Sequence, residues 1–179
     1  RGMECILLRE PGGTVIGEKI RDILLDSART EMTPVTELFL YLAARAQITA
    51  ERIVPMLDSG TSVVMDRYYD STTAYQGHAR GVGSAVKELN MLATNYLEPD
   101  ITFLVDCDPS TAFARMGSHL DRLESEGVAF MSRVRDGFLA EASSQPDRIM
   151  VVDGMRSIED VFSDIRDMLD QKLSSSSSG

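Results

Sequence analysis

Short apolar runs at residues 4–8, 61–65, 101–105 and 148–152 punctuate the chain, with longer stretches of helical spacing between them. Each run is continuous and rich in β-branched residues. That is the pattern of strands in a parallel sheet covered on both faces. The helical stretches carry readable starts. Thr33-Pro34 supplies an N-cap and a proline at the first helical position, and the pattern continues through Leu38, Leu42, Ile48 and Ile53 to about Asp58. Asp108-Pro109 and Ser84 open two more helices, and Ser157 with Asp160 resembles a capping box ahead of another. This βαβ alternation predicts an α/β fold, an open doubly wound parallel sheet with helices on both faces. One domain is expected over residues 1–173, with residues 174–179 a disordered Ser-rich tail.

Polar residues stand where the strands end. Arg9-Glu10-Pro11-Gly12-Gly13 follows the first run, Asp66-Arg67 the second, Asp106 and Asp108 the third, and Asp153 the fourth. In open α/β sheets ligands bind beyond the carboxyl ends of the strands. Spacing alone therefore predicts an enzyme with a crevice lined by acids and arginines.

The net charge of −10 excludes a nucleic-acid or anionic-membrane binder, since a polyanion needs a basic surface. A small phosphorylated substrate stays allowed, because a few arginines make a local positive pocket. Fifteen Arg stand against three Lys, a skew that fits phosphate recognition and equally fits GC-rich coding. Cys5 and Cys107 sit in apolar runs without metal spacing and read as buried free thiols. No apolar stretch approaches the ~18 residues of a membrane span, and the cytoplasm is the expected setting.

Three motifs together carry a family resemblance. Arg9-Glu10-Pro11-Gly12-Gly13-Thr14 is followed by Gly17-Glu18 and Ile20-Arg21; Asp66-Arg67-Tyr68 is followed by Ala74-Tyr75-Gln76-Gly77; Asp121-Arg122-Leu123-Glu124 is followed by Phe130, Val134-Arg135 and Phe138-Leu139. In this order they resemble bacterial thymidylate kinases over residues 2–170. The resemblance implies the fold of the P-loop nucleoside monophosphate kinases. It also implies transfer of the ATP γ-phosphoryl group to dTMP with Mg²⁺, by a cytoplasmic homodimer. Such transfer brings two polyanions together, so positioning and charge stabilisation carry the catalysis.

Residue roles follow from the same resemblance. Arg67 matches the arginine that holds the acceptor phosphate; an ion pair with Asp66 is the other role open to it. Asp66 matches a carboxylate that holds Mg²⁺ through water, or it is the partner of Arg67. Arg9 reaches the same phosphate, while Glu10 and Pro11 shape the loop. Tyr41 stacks on thymine and Arg45, one helical turn away, donates to a base carbonyl; without the family, Tyr41 reads as core. Gln76 pairs with the base edge, Tyr75 crowds the sugar 2′ position, and Thr72 lines the pocket. The lid spans about residues 115–127, with Arg115 and Asp121 in it and Arg122 the first choice for charge stabilisation. Relatives often carry more lid arginines.

The consensus G-x-x-x-x-G-K-[ST] of a phosphate-binding loop occurs nowhere in the 179 residues; Lys19, Lys87 and Lys172 lie outside any such motif. Arg1-Gly2 reads like the end of the helix that follows that loop. The first strand and the loop are therefore expected to be missing through truncation. The alternative is a non-catalytic dTMP-binding or dimer-forming protein.

Overall fold

The computed structural model describes residues 2–115 and 121–176. Four strands form: β1 (Cys5–Arg9), β2 (Ser62–Asp66), β3 (Thr102–Asp106) and β4 (Ile149–Asp153). Each begins and ends one residue after the apolar run that announced it. The cause is the polar residue at each carboxyl end: Arg9, Asp66, Asp106 and Asp153 stay in the ladder although hydrophobicity has already stopped. The register pairs Arg9 with Asp66 and Asp106 with Asp153. The strands thus deliver their charged ends side by side.

All pairing is parallel, but it comes in two halves, β1–β2 and β3–β4; among the described residues no ladder joins β2 to β3. A buried polar bridge spans the halves instead. Arg148, just ahead of β4, donates to both carboxylate oxygens of Asp70 (2.6 and 3.0 Å) and to Thr102 Oγ1 of β3 (2.9 Å). Its guanidinium also lies 5.3 Å from the ring centroid of Tyr69.

Helix α1 (Val15–Leu25) starts at Thr14, whose hydroxyl accepts from Gly17 N–H at 2.9 Å. Helix α2 (Pro34–Ile48) starts at Thr33 as its sequence signal predicts. It passes through a π-helical stretch, Thr49–Ile53, into α3 (Val54–Asp58). After β2 come α4 (Tyr69–Thr72), a second π-helical stretch at Thr73–Ala79, and α5 (Ala85–Ala93). Helices α6 (Pro109–Arg115), α7 (Val128–Ser144) and α8 (Ile158–Ser176) complete the chain. Helix α8 carries the Ser-rich tail, expected to be disordered, in helical form as far as Ser176. Residues 177–179 lie outside the described residues, as do Gly117, Ser118 and His119 of the lid.

The core under β1 and β2 is Leu8, Ile48, Ile53, Tyr68 and Tyr69, with Ile6, Val63 and Met65 against it. A second cluster, Ala74, Tyr75, Leu123, Phe130 and Val134, packs α7 on the π-helical stretch after α4. Gly137 makes that packing close: a Cβ there would meet Ala74 Cα at 3.0 Å. Among the described residues one face of the strands is partly open. Leu7 and Val64, register partners, are 72% and 51% exposed, and Val105 and Val151 are exposed as well. Helices cover the Leu8–Met65 side, and the alternation of a strand turns Leu7 and Val64 the other way. Cys5 lies on the same face as Leu7 and is exposed, not the buried thiol its apolar context implied. No described helix is long and apolar enough to cross a membrane.

Candidate functional site

A cavity of about 330 Å³ opens beyond the carboxyl ends of β1 and β2. It collects Arg9, Glu10, Pro11, Tyr41, Arg45, Asp66, Arg67, Thr72, Tyr75, Gln76 and Asp121, all expected site residues. Arg115 and Arg122 are not among its lining residues.

The loop after β1 is held by Glu18 of α1. Its carboxylate accepts from Gly13 N–H at 2.7 Å and from Arg9 Nη2 at 3.0 Å. Gly12 and Gly13 both take positive φ, 132° and 78°, which is why two glycines stand there. The carbonyl of Pro11 gathers two guanidinium groups, Arg9 at 3.2 Å and Arg21 at 2.8 Å. Arg21 also lines the cavity, together with Arg9 and Arg67.

Arg67 adopts φ 66°, a left-handed conformation that costs a non-glycine residue roughly 1–3 kcal/mol. Such strain persists where a side chain must be aimed. Its guanidinium lies 5.6 Å from the Tyr75 ring centroid. Among the described residues neither Asp66 nor Arg67 makes an ion pair, so the mutual pairing left open for them is not formed.

Part of the cavity lining is buried and polar. Arg45, 1% exposed, donates to Glu10 Oε2 from Nε (2.9 Å) and Nη2 (2.6 Å), and from Nη1 to Thr72 Oγ1 (2.7 Å) and Asn90 Oδ1 (3.0 Å). A guanidinium has five N–H donors, so one of Nη2 remains. Glu10 Oε1 is buried without a hydrogen-bond partner. A spare donor and a spare acceptor therefore sit on the same ion pair. Gln76, also 1% exposed, donates Nε2 to Glu37 Oε1 at 2.7 Å. Tyr75 is packed edge-on against Phe130 and Phe138, with ring centroids 6.2 and 6.1 Å away. Tyr41 packs against the same cluster, and burial raises its phenol pKa, keeping it neutral.

Arg122, the first choice for charge stabilisation, is turned away from the cavity. Its Nη2 meets Glu37 Oε2 at 2.5 Å and its Nε meets the Leu24 carbonyl at 2.8 Å. Arg115 ties α6 to the turn after β4 through the Gly154 carbonyl at 2.8 Å. Sequence reading passed over Glu37, Arg80 and Asn90. Glu37, Tyr41 and Arg45 are spaced by four, which puts them on one face of α2. That spacing is the signal that marked Glu37.

A single exposed carboxylate, Asp66, fits a Mg²⁺ ion held mainly by phosphates and water. No cluster of three acidic, His or Cys ligands exists among the described residues.

Comparison with known proteins gives a consistent answer. The family model for thymidylate kinase matches residues 1–165. The chain is 42% identical over 175 residues to a thymidylate kinase of Thermoanaerobacter sp. (strain X514), covering 97% of this chain and 86% of that one. It is 45% identical over 159 residues to the Caldanaerobacter subterraneus subsp. tengcongensis enzyme of the same name, covering 88% and 76%. The crystal structure of thymidylate kinase from Ehrlichia chaffeensis superposes with a TM-score of 0.75 at 32% identity, over 93% of this chain and 80% of that one. With the family model spanning most of its length and relatives this close, the chain belongs to the thymidylate kinase family.

Proposed function

We propose that this chain carries the acceptor site of an ATP:dTMP phosphotransferase, the reaction that yields dTDP and ADP. The observation that carries the reading is the lining of one cavity, in which the buried Arg45 and Gln76 stand together with Arg9, Arg21 and Arg67. A thymine edge and a 5′-phosphate require both kinds of group. Thymine presents O4 as an acceptor, which the spare Nη2 donor of Arg45 meets. Its N3–H is a donor, which the amide oxygen of Gln76 meets. Tyr41 stacks on the base, and Tyr75, braced by two phenylalanines, limits the space at the sugar.

In transfer, an oxygen of the dTMP phosphate bonds to the γ-phosphorus as the bond to the β–γ bridging oxygen breaks and ADP leaves. Arg67 and Arg9 hold the acceptor phosphate and offset its charge. Asp66 would hold Mg²⁺ through water, and bound Mg²⁺ neutralises the donor phosphates. The β- and γ-phosphates also need a glycine-rich loop and its lysine, a motif these 179 residues do not contain.

A homodimer in the cytoplasm goes with this reading. Val15, Ile16, Ile23, Val35 and Phe39 leave an apolar surface on α1 and α2 exposed, which supports pairing of two copies. Sedimentation would read the mass directly.

The test is calorimetric titration with dTMP, dCMP and thymidine, followed by assay for ADP. We expect dTMP to bind at least about 10-fold more tightly than either competitor. ADP release is expected to depend on a glycine-rich loop with its lysine, which these 179 residues do not contain. Equal affinity for dTMP and dCMP would overturn the acceptor assignment. Binding without turnover even with that loop present would favour a non-catalytic dTMP-binding protein.

A further inference from the structure

Glu37 lies in the first turn of α2, touches none of the cavity, and is 1% exposed, yet it receives four hydrogen bonds. Gln76 Nε2 and Arg80 Nε meet its Oε1 at 2.7 and 3.2 Å. Arg80 Nη2 and Arg122 Nη2 meet its Oε2 at 3.1 and 2.5 Å. Two guanidinium groups around one carboxylate would suffice to keep it ionised. The neutral Gln76 amide is the unexpected member, and it is the one that reaches the cavity.

We infer that Glu37 is a positioning residue for base selection, which fixes the Gln76 amide in the orientation that accepts a hydrogen bond from the base. The inference rests on the thymine reading above and adds to it the cause of the amide's orientation. An amide has two nearly isosteric ends with opposite hydrogen-bonding sense, and only its partners decide which end faces where. An ionised carboxylate accepts and never donates, so Gln76 must give Glu37 its nitrogen. The oxygen is then the end left for the cavity. Thymine N3–H donates to an oxygen; cytosine N3 is a lone pair and is repelled by it. Discrimination between the two bases thus originates one residue away from the base.

The surroundings hold Glu37 in the required state. Burial alone would raise its pKa, but the hydrogen bonds from Gln76, Arg80 and Arg122 outweigh burial and hold the carboxyl below its ordinary value. Arg80 is itself shared with Glu126 at 2.7 Å, and Arg122 is anchored on the Leu24 carbonyl. Helix α2, the π-helical stretch with Arg80 at its end, and the lid segment therefore meet at one carboxylate, with α1 holding Arg122 in place. Gln76 is oriented by a group that cannot rotate away.

Glu37→Gln makes the prediction directional. The new amide is expected to keep its oxygen on the Oε2 side, where two guanidinium donors point against one on Oε1, so its nitrogen faces Gln76 and the Arg80 Nε contact is lost. Gln76 then has to offer its oxygen to residue 37 and its nitrogen to the cavity. The ratio of dTMP to dCMP affinity, measured by calorimetry on the whole chain, is expected to fall by about 10-fold or more. The fall should include a gain for dCMP, which loss of structure alone would not produce. In a Gln76→Ala background the same substitution should leave the ratio unchanged. The unmodified protein gives a second readout: by NMR, the Gln76 side-chain amide should show one downfield proton protected from solvent exchange. An unshifted, freely exchanging amide overturns the inference even if Glu37→Gln fails to fold. An unmodified protein that prefers dTMP, paired with a Glu37→Gln variant of the same preference, overturns this inference and leaves the thymine reading standing. No preference in the unmodified protein overturns both.

Discussion

Arg45 and Glu10 form a buried fork, in which Nε and Nη2 of the arginine both reach Oε2 of the glutamate, at 2.9 and 2.6 Å. The pair joins α2 to the loop after β1 and carries a spare donor and a spare acceptor. A structural role and a role in base recognition separate by mutation. Arg45→Ala leaves a buried carboxylate without its cation, which costs about 3–5 kcal/mol of stability. The same variant should lose about 1–3 kcal/mol of dTMP binding through the missing charge-assisted hydrogen bond. The double variant Arg45→Met, Glu10→Gln should regain most of the stability and none of the affinity. Thermal melts with calorimetry decide it; recovered dTMP affinity in the double variant would remove Arg45 from base recognition.

The left-handed backbone of Arg67 sets stability against function at one residue. Glycine takes φ 66° without steric cost. Arg67→Gly is therefore expected not to lower the melting temperature. Its dTMP affinity should fall by about 10- to 100-fold, the worth of a charge-assisted phosphate contact, while thymidine binds as before. Equal losses for dTMP and thymidine would show that Arg67 shapes the cavity and does not hold the phosphate.

How far the sequence spoke for this structure depends on what kind of signal each residue gives. The strands and most helix starts were legible because they depend on local patterns: apolar runs, a Thr-Pro start at Thr33, a Ser157 hydroxyl that does accept from Asp160 N–H at 3.1 Å. The cavity lining was legible because charged residues at strand ends have few structural reasons to be there. The contacts of Arg122 were not legible. Its partner Glu37 lies 85 residues away in sequence, and no local pattern could reveal that contact. The π-helical stretches also carry no period that a 3.6-residue reading would register. Yet one of them, Thr73–Ala79, sets the positions of Tyr75 and Gln76. Four similar apolar runs do not by themselves say which of them pair.

Because among the described residues no ladder joins β2 to β3, the Asp70–Arg148–Thr102 bridge has an unusual burden. Asp70 and Arg148 side chains are 9% and 11% exposed, so their charges depend on each other. Arg148→Ala is expected to destabilise the fold by about 3–5 kcal/mol, the cost of stranding a buried charge. It should leave dTMP affinity intact at temperatures where the variant is folded, since Arg148 lies outside the cavity lining. Urea unfolding and calorimetry measure the two effects separately. A variant of unchanged stability would mean that packing of α7 on the sheet, and not the bridge, joins the halves.

Acid should destabilise the protein in part through Glu37, whose carboxyl is protonated in the fold only after ordinary surface carboxylates. Burial would raise the Glu37 pKa, and the hydrogen bonds from Gln76, Arg80 and Arg122 override it, leaving the carboxyl below its ordinary 4.5. A carboxyl with a depressed folded-state pKa is protonated more readily in the unfolded chain, so its contribution to stability grows with pH. That contribution is complete above the unfolded value and is lost as pH falls through the folded one. Asp106, held below 3.8 chiefly by its hydrogen bond from Arg135, acts with the same sign but is half-exposed and screened. Unfolding free energy measured from about pH 7 down to about pH 3 should therefore be flat at first and then fall below pH 4.5. In Glu37→Gln the free energy is lower at neutral pH, and its decline in acid should be shallower, so the two curves converge. Parallel curves would show that Glu37 is protonated equally in both states and that its buried cluster adds nothing to stability at neutral pH.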